Sequence, residues 1–354
     1  MLSFCFYYSI LFAATFWAYM AEHSGCSKRK EYIYRFLLFF SLWLPAIFRE
    51  GIGTDYVSYV SLFKYADIGD IEPGFYYICQ AVKFMGLDYH WMFAIVALIT
   101  YCPICFGVPR KGLSLTVMFF CFLFYLNTWS LIRQGAAVCL ICWAVFQLLE
   151  GKRLKFITIV LLASTMHYSA LLLLPFYFLW NKPLNRLFAI VIIAIGIASI
   201  LLFGAIDYLF SSAIFVDSHY GRYVTSGFNR ETEIGTGLGV IIRLIIPIYA
   251  VYLLPKSKNY FHGYEFVIYL NIAYILSYCL ALQIHIFNRI VDLFTFAPFM
   301  TMGIIVAYMH HKFKKIILFV IIALNLMLFY KSIIAGNSNN IGGLGIYPYQ
   351  TFLS

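Results

Sequence analysis

The residues best suited to chemistry in this sequence are arginines, an aspartate and a histidine set among apolar neighbours. Arg49 opens the stretch Arg49-Glu50-Gly51-Ile52-Gly53-Thr54-Asp55-Tyr56, with Tyr59 three residues on. Arg133 and Gln134 follow Asn127-Thr128-Trp129-Ser130, and His167 stands in Ser164-Thr165-Met166-His167-Tyr168-Ser169. Arg243 has apolar residues for three positions on either side, and Arg289 lies in His285-Ile286-Phe287-Asn288-Arg289-Ile290-Val291-Asp292. A guanidinium grips a carboxylate or phosphate through its planar fork of donors. An aspartate or histidine can take the proton of an attacking hydroxyl.

Each residue has a plainer reading as well. Thr54 or Asp55 can cap a helix starting near Tyr56, with Tyr56 and Tyr59 as interfacial aromatics. Glu72-Pro73-Gly74-Phe75 reads as an acidic turn opening an apolar helix. Arg133 can snorkel to the interface, and His167 can be a structural hydrogen-bonder. Arg243 can pair with Asp292. The CxxC spacings at Cys102/Cys105 and Cys139/Cys142 lack a polar surround, so no metal or redox role is expected.

The elements that position these residues are membrane spans. Of 354 residues 63% are hydrophobic and only 11% charged, which calls for lipid as solvent. The opening Met1-Leu2-Ser3-Phe4 run reads as a retained span, not a cleaved signal. The +10 charge does not indicate nucleic acid. Its lysines and arginines cluster between apolar runs, at 28–30, 110–111, 152–155, 182–186, 256–258 and 312–315, in the pattern of cytoplasmic loops.

With those clusters inside, spans fall at about 2–21, 32–48, 90–108, 113–128, 130–149, 155–180, 186–203, 238–254, 263–284, 289–309 and 315–334. Basic clusters flank 155–180 on both ends. Two half-helices meeting at His167, each about 12 residues or 18 Å, keep both clusters inside. The fold is thus all-α and polytopic, one integral domain over 1–354 with about eleven to twelve spans. Segments 49–89, 204–237 and the tail 335–354 face outward. Ten of the 15 acidic residues lie in the first two segments. Arg49, Arg133, Arg222, Arg230, Arg243 and Arg289 break the charge bias of the outer side, as residues facing a cavity do.

These motifs in this order resemble the EpsG/Wzy-type polysaccharide polymerases: Arg49-x-Gly51-x-Gly53-Thr54-Asp55-Tyr56-x-x-Tyr59, Glu72-Pro73-Gly74-Phe75, Arg133-Gln134, His167-Tyr168-Ser169-Ala170 and Tyr347-Pro348-Tyr349-Gln350-Thr351-Phe352. The resemblance implies a C-type glycosyltransferase architecture in the bacterial inner membrane, with the site facing the periplasm. It implies joining of undecaprenyl-diphosphate-linked oligosaccharides, with membrane lipids and a chain-length regulator protein as partners. Asp55 or His167 would be the base. Arg49, Arg133, Arg243 and Arg289 would hold diphosphate, and Tyr56, Tyr59, Glu72, Gln134 and Arg222 the sugars. A diphosphate leaves as a stable anion that arginines can neutralise, so neither metal nor other cofactor is expected. An O-antigen ligase would use the same arginine logic with another acceptor. A flippase would favour an internal repeat, which is not seen. An acyltransferase needs a route for an acyl donor.

Overall fold

The computed structural model describes residues 2–200, 237–257, 263–283, 287–308, 314–335 and 344–352. These form α-helices with short π and 3-10 segments; among them there is no strand, only two isolated bridges. Six helices are long and apolar enough to cross a membrane: Leu2–Glu22, Lys28–Phe48, Tyr89–Gly107, Ile132–Leu149, Tyr264–Ala281 and Lys314–Ile334. Shorter apolar helices cover Leu113–Tyr125, Tyr168–Leu179, Arg186–Ala198 and Leu238–Leu253. The expected all-α membrane architecture is present. The chain divides into two compact units, residues 1–177 with 298–354, and residues 178–297.

In the first unit, α1 (Leu2–Glu22) pairs with α2 (Lys28–Phe48). Ser27 starts α2 by accepting from the Lys30 amide at 3.3 Å. Pro45 lies in its last turn. Two amphipathic helices follow, α3 (Tyr56–Tyr65) and α4 (Pro73–Phe84), where the outward segment 49–89 was expected. Next come α5 (Tyr89–Cys102), which runs into a π-turn, α6 (Leu113–Phe120), the single turn α7 (Asn127–Ser130) and α8 (Ile132–Leu149). Leu131 breaks the helix between α7 and α8.

The core of this unit is α8. Its apolar window is 83% buried, against 33% for α1 and 28% for α2, because α5, the π-turn after it, α7 and the helix Arg153–Met166 all pack on α8. The outer helices present Phe12, Phe16, Phe36 and Phe40 outward, as lipid-facing surfaces do.

Helix α9 (Arg153–Met166) stops at His167, whose backbone is extended, and a 3-10 segment runs over Tyr168–Leu179. Phe156 near the start of α9 stacks on Tyr177, with centroids 6.2 Å apart. The chain therefore doubles back, as the flanking basic clusters predict, with His167 at the bend. The 14-residue α9 rises about 21 Å and the 12-residue 3-10 arm about 24 Å.

The second unit contains α10 (Arg186–Ile200), α11 (Leu238–Ser257), α12 (Tyr264–Ala281) and α13 (Asn288–Phe294). Its centre is α12, 72% buried, on which α10, α11 and α13 pack. The chain returns to the first unit along α14 (Phe296–Tyr308), and α15 (Lys314–Ala335) follows.

Candidate functional site

Glu72 is the hub of a charged cluster. It is the residue before α4, and Pro73 occupies the first helical position. Its carboxylate makes no capping bond and is free to turn inward. Gly74 brings this end of α4 against the end of α9. A Cβ there would meet Thr165 Oγ1 at 2.6 Å and the Thr165 carbonyl oxygen at 2.7 Å. The approach seats Glu72, 5% exposed, beside His167, whose Nδ1 is 2.6 Å from Glu72 Oε1. Glu72 Oε2 accepts from Arg133 Nη1 in an ion pair.

Arg133, on the first turn of α8, also lies over the Tyr59 and Phe75 rings at 5.8 and 5.7 Å. Four residues proposed from sequence, Tyr59, Glu72, Arg133 and His167, thus meet across α3, α4, α8 and the α9 bend. The Glu72 carboxyl is held below the ordinary glutamate range. Burial alone raises it, but the hydrogen bond from His167 and the charge of Arg133 outweigh burial. An ionised carboxylate only accepts, so Nδ1 carries a proton, and in the neutral ring Nε2 then presents a lone pair.

Arg49 begins the turn after α2 and is 3% exposed. Its guanidinium lies 5.3 Å from the Phe93 ring and 5.5 Å from the Trp129 ring. Gly53 makes the turn possible: its φ is +108°, and a Cβ would come within 2.5 Å of the Trp129 carbonyl oxygen. The segment 344–352 straps the turn in place. The Gly53 amide donates to the Gly345 carbonyl, the Glu50 amide to the Gln350 carbonyl and the Phe352 amide to the Phe48 carbonyl, at 3.0, 3.0 and 3.3 Å. Tyr349 Oη donates to the Pro45 carbonyl at 2.9 Å, closing the open end of α2. Burial pushes the Tyr349 hydroxyl up to about 12.

Glu50, Tyr89, His90 and Trp129 were not singled out as site residues from sequence. Glu50 accepts from Tyr56 Oη at 3.0 Å and Tyr89 Oη at 3.2 Å, and its Oε2 is 2.8 Å from His90 Nε2. The other ring nitrogen of His90 lies 3.1 Å from Asp88. The Asp88-x-His90 spacing at a helix start was the signal, since an N-cap carboxylate reaches the second helical residue. The partial burial of Glu50 raises its carboxyl, yet the bonds from His90 and Tyr56 leave it below the usual range.

Tyr56 stacks on Phe93 at 4.7 Å, so it borders the Arg49 side of α3 while Tyr59 borders the Arg133 side. Asp55 is the N-cap residue of α3 but makes no capping bond; its Oδ1 accepts from Thr54 Oγ1 at 3.2 Å. Gln134 is buried at the start of α8. Arg243 and Arg289 belong to the second unit, where Arg243 Nη1 donates to Tyr278 Oη at 3.0 Å. Arg222 lies outside the described residues, as do most of 204–237 and the 336–343 part of the tail. Among the described residues no group of His, Cys, Asp and Glu is arranged to hold a metal ion.

The family model described as the EpsG family matches residues 32–351. No curated protein and no solved structure matches the chain.

Proposed function

The chain belongs to the EpsG family, which fits a polysaccharide-polymerase type of role, and from that premise we propose an inverting glycosyltransferase of surface-polysaccharide (O-antigen type) synthesis. It joins oligosaccharide repeats carried on undecaprenyl diphosphate, at the periplasmic face of the bacterial inner membrane. The observation that carries this reading is the Glu72–His167 pair with Arg133 alongside.

His167 serves as the general base. Glu72 fixes the ring and its tautomer, and Nε2 accepts the proton of the acceptor hydroxyl. The freed oxygen attacks the anomeric carbon from the face opposite the diphosphate. The bond from that carbon to the diphosphate oxygen breaks, and the diphosphate leaves with its electron pair. The imidazolium so formed faces the Glu72 carboxylate. Arg133 keeps that carboxylate ionised and is itself held over the Tyr59 and Phe75 rings.

The choice of His167 over Asp55 is testable with purified protein and a lipid-diphosphate-linked repeat. His167→Ala is expected to reduce polymerisation by about 10²–10⁴-fold, and Asp55→Asn to retain it. Full-length polymer from folded His167→Ala would end the proposal. In cells, loss of a polymerase leaves single repeats on the acceptor, whereas loss of a ligase or flippase leaves none.

A further inference from the structure

Helix α4 is apolar on two opposite faces. Phe75, Cys79 and Val82 form one and are buried in the first unit. Pro73, Tyr77, Ala81 and Phe84 form the other, and all four are exposed, Phe84 at 93%. At 3.6 residues per turn these two sets lie back to back. Lys83 is the one charged side chain of α4. It turns aside to donate to the Lys64 carbonyl at 3.3 Å, over the Phe63 ring. The preceding α3 is built differently. Its exposed face carries Ser58, Ser61, Lys64 and Tyr65 beside Val57. A face like that of α3 suits water, whereas a helix apolar on both sides needs cover on both.

What covers the outer stripe follows from where α4 begins. Lys152, Arg153 and Lys155 are exposed at the start of α9, which fixes that end at a membrane surface. The 14 residues of α9 rise about 21 Å, about 9 Å short of a hydrocarbon core of about 30 Å. Tilt only shortens that reach. The last turn of α9 is therefore still among acyl chains. Gly74 packs on Thr165 in that turn, so α4 sets out from the same depth. Leu161 and Leu162, exposed one turn before Thr165, extend the apolar surface on the α9 side of the contact.

We propose that the stripe of Pro73, Tyr77, Ala81 and Phe84 is a lipid-binding surface. Helix α4 lies in the leaflet opposite the 152–155 cluster, with acyl chains against its outer face, while α3 faces water. The segment 49–89 then enters the membrane through α4 instead of standing clear of it as an outward loop. The Glu72 end of α4 lies below the level of the headgroups. This inference stands on packing and depth and is independent of the reaction assigned to His167.

Tyr65 and Tyr77 provide the test in unaltered protein, because the fold leaves them similarly exposed, 78% on α3 and 61% on α4. Protein in phosphatidylcholine nanodiscs is given short pulses of hydroxyl radical, and oxidation of each tyrosine is read by peptide mass spectrometry. Tyr65 is expected to be oxidised, and Tyr77 to lose most of that reactivity. The same protein is then irradiated in nanodiscs doped with a diazirine-tailed phosphatidylcholine. Lipid adducts are expected on the peptide covering α4 and not on the one covering α3.

Equal oxidation of the two tyrosines overturns the proposal, since the stripe would then be in water. Protection of Tyr77 without a lipid adduct on α4 also overturns it, because the cover would then be protein, either a second copy or another part of this chain. Lipid adducts on α3 and α4 alike would remove the contrast between the two helices and overturn it as well.

Discussion

Replacing Glu72 by glutamine separates catalysis from packing at the proposed active site. The side chain keeps its size, and its amide oxygen can still accept from Arg133. Its NH₂, however, is a donor where the carboxylate was an acceptor. It must donate to His167 Nδ1, which moves the ring proton to Nε2, the atom that has to accept the hydroxyl proton. A base held in the wrong tautomer loses about 10³–10⁴-fold in rate.

The stability cost of the same change is smaller. Removing one partner of a fully buried ion pair costs about 3–5 kcal/mol. Here Arg133 is 23% exposed and retains a neutral hydrogen bond, so about 1–2 kcal/mol is expected. The assay is polymer length and rate at pH 7 from a lipid-diphosphate-linked repeat, with the folded fraction followed by size exclusion and thermal melting. A folded Glu72→Gln protein with more than about a hundredth of the wild-type rate would refute the tautomer argument, because that argument demands a loss of about 10³–10⁴-fold.

The same carboxylate predicts an acid limb in stability. Its folded-state pKa lies below the ordinary 4.5, so its stabilisation is complete above the unfolded value and is lost as pH falls through the folded one. Melting temperature is therefore expected to fall more steeply below about pH 4.5 in wild type than in Glu72→Gln; parallel curves would sink this assignment. The turn that carries Arg49 gives a contrast between two glycines. Gly53→Ala meets the Trp129 carbonyl at 2.5 Å with φ at +108°, and a loss of about 3 kcal/mol or more is expected. Gly51→Ala, with φ at +64° and nothing within 4 Å, should cost only about 1–2 kcal/mol. Equal melting temperatures for the two variants would mean that Gly53 does not hold the turn against Trp129.

The membrane fold was readable from the chain because its signals are local. Apolar runs mark out the helices one segment at a time. The bend at His167 was readable for the same reason, since a single crossing of 155–180 would put one basic cluster on the wrong side. Tyr59, Glu72, Arg133 and His167 were each visible as polar residues at apolar boundaries. Their meeting was not, because it depends on the Gly74–Thr165 contact between segments some ninety positions apart in sequence. Asp55 looked like a base beside Tyr56, yet the turn leaves it with Thr54 as its hydrogen-bond partner. The role of Glu50 was hidden because its partners, Tyr56, Tyr89 and His90, come from two other helices. The break at Leu131, which puts Ser130 within reach of the Thr54 amide and the Leu344 carbonyl, leaves no mark in composition.

Three arginines of the first unit form a series that ties the site together. Arg35 is saturated by a carboxylate and two carbonyls and holds structure. Arg133 shares a carboxylate with a histidine and tunes it. Arg49 is held between two rings with donors unanswered. The chain can therefore build a partner for a buried guanidinium where one is needed, and at Arg49 it has not. Helix α3 is the wall common to the last two. Tyr56 meets Phe93 beneath Arg49, and Tyr59 lies under Arg133, three residues and about 4.5 Å further along the helix.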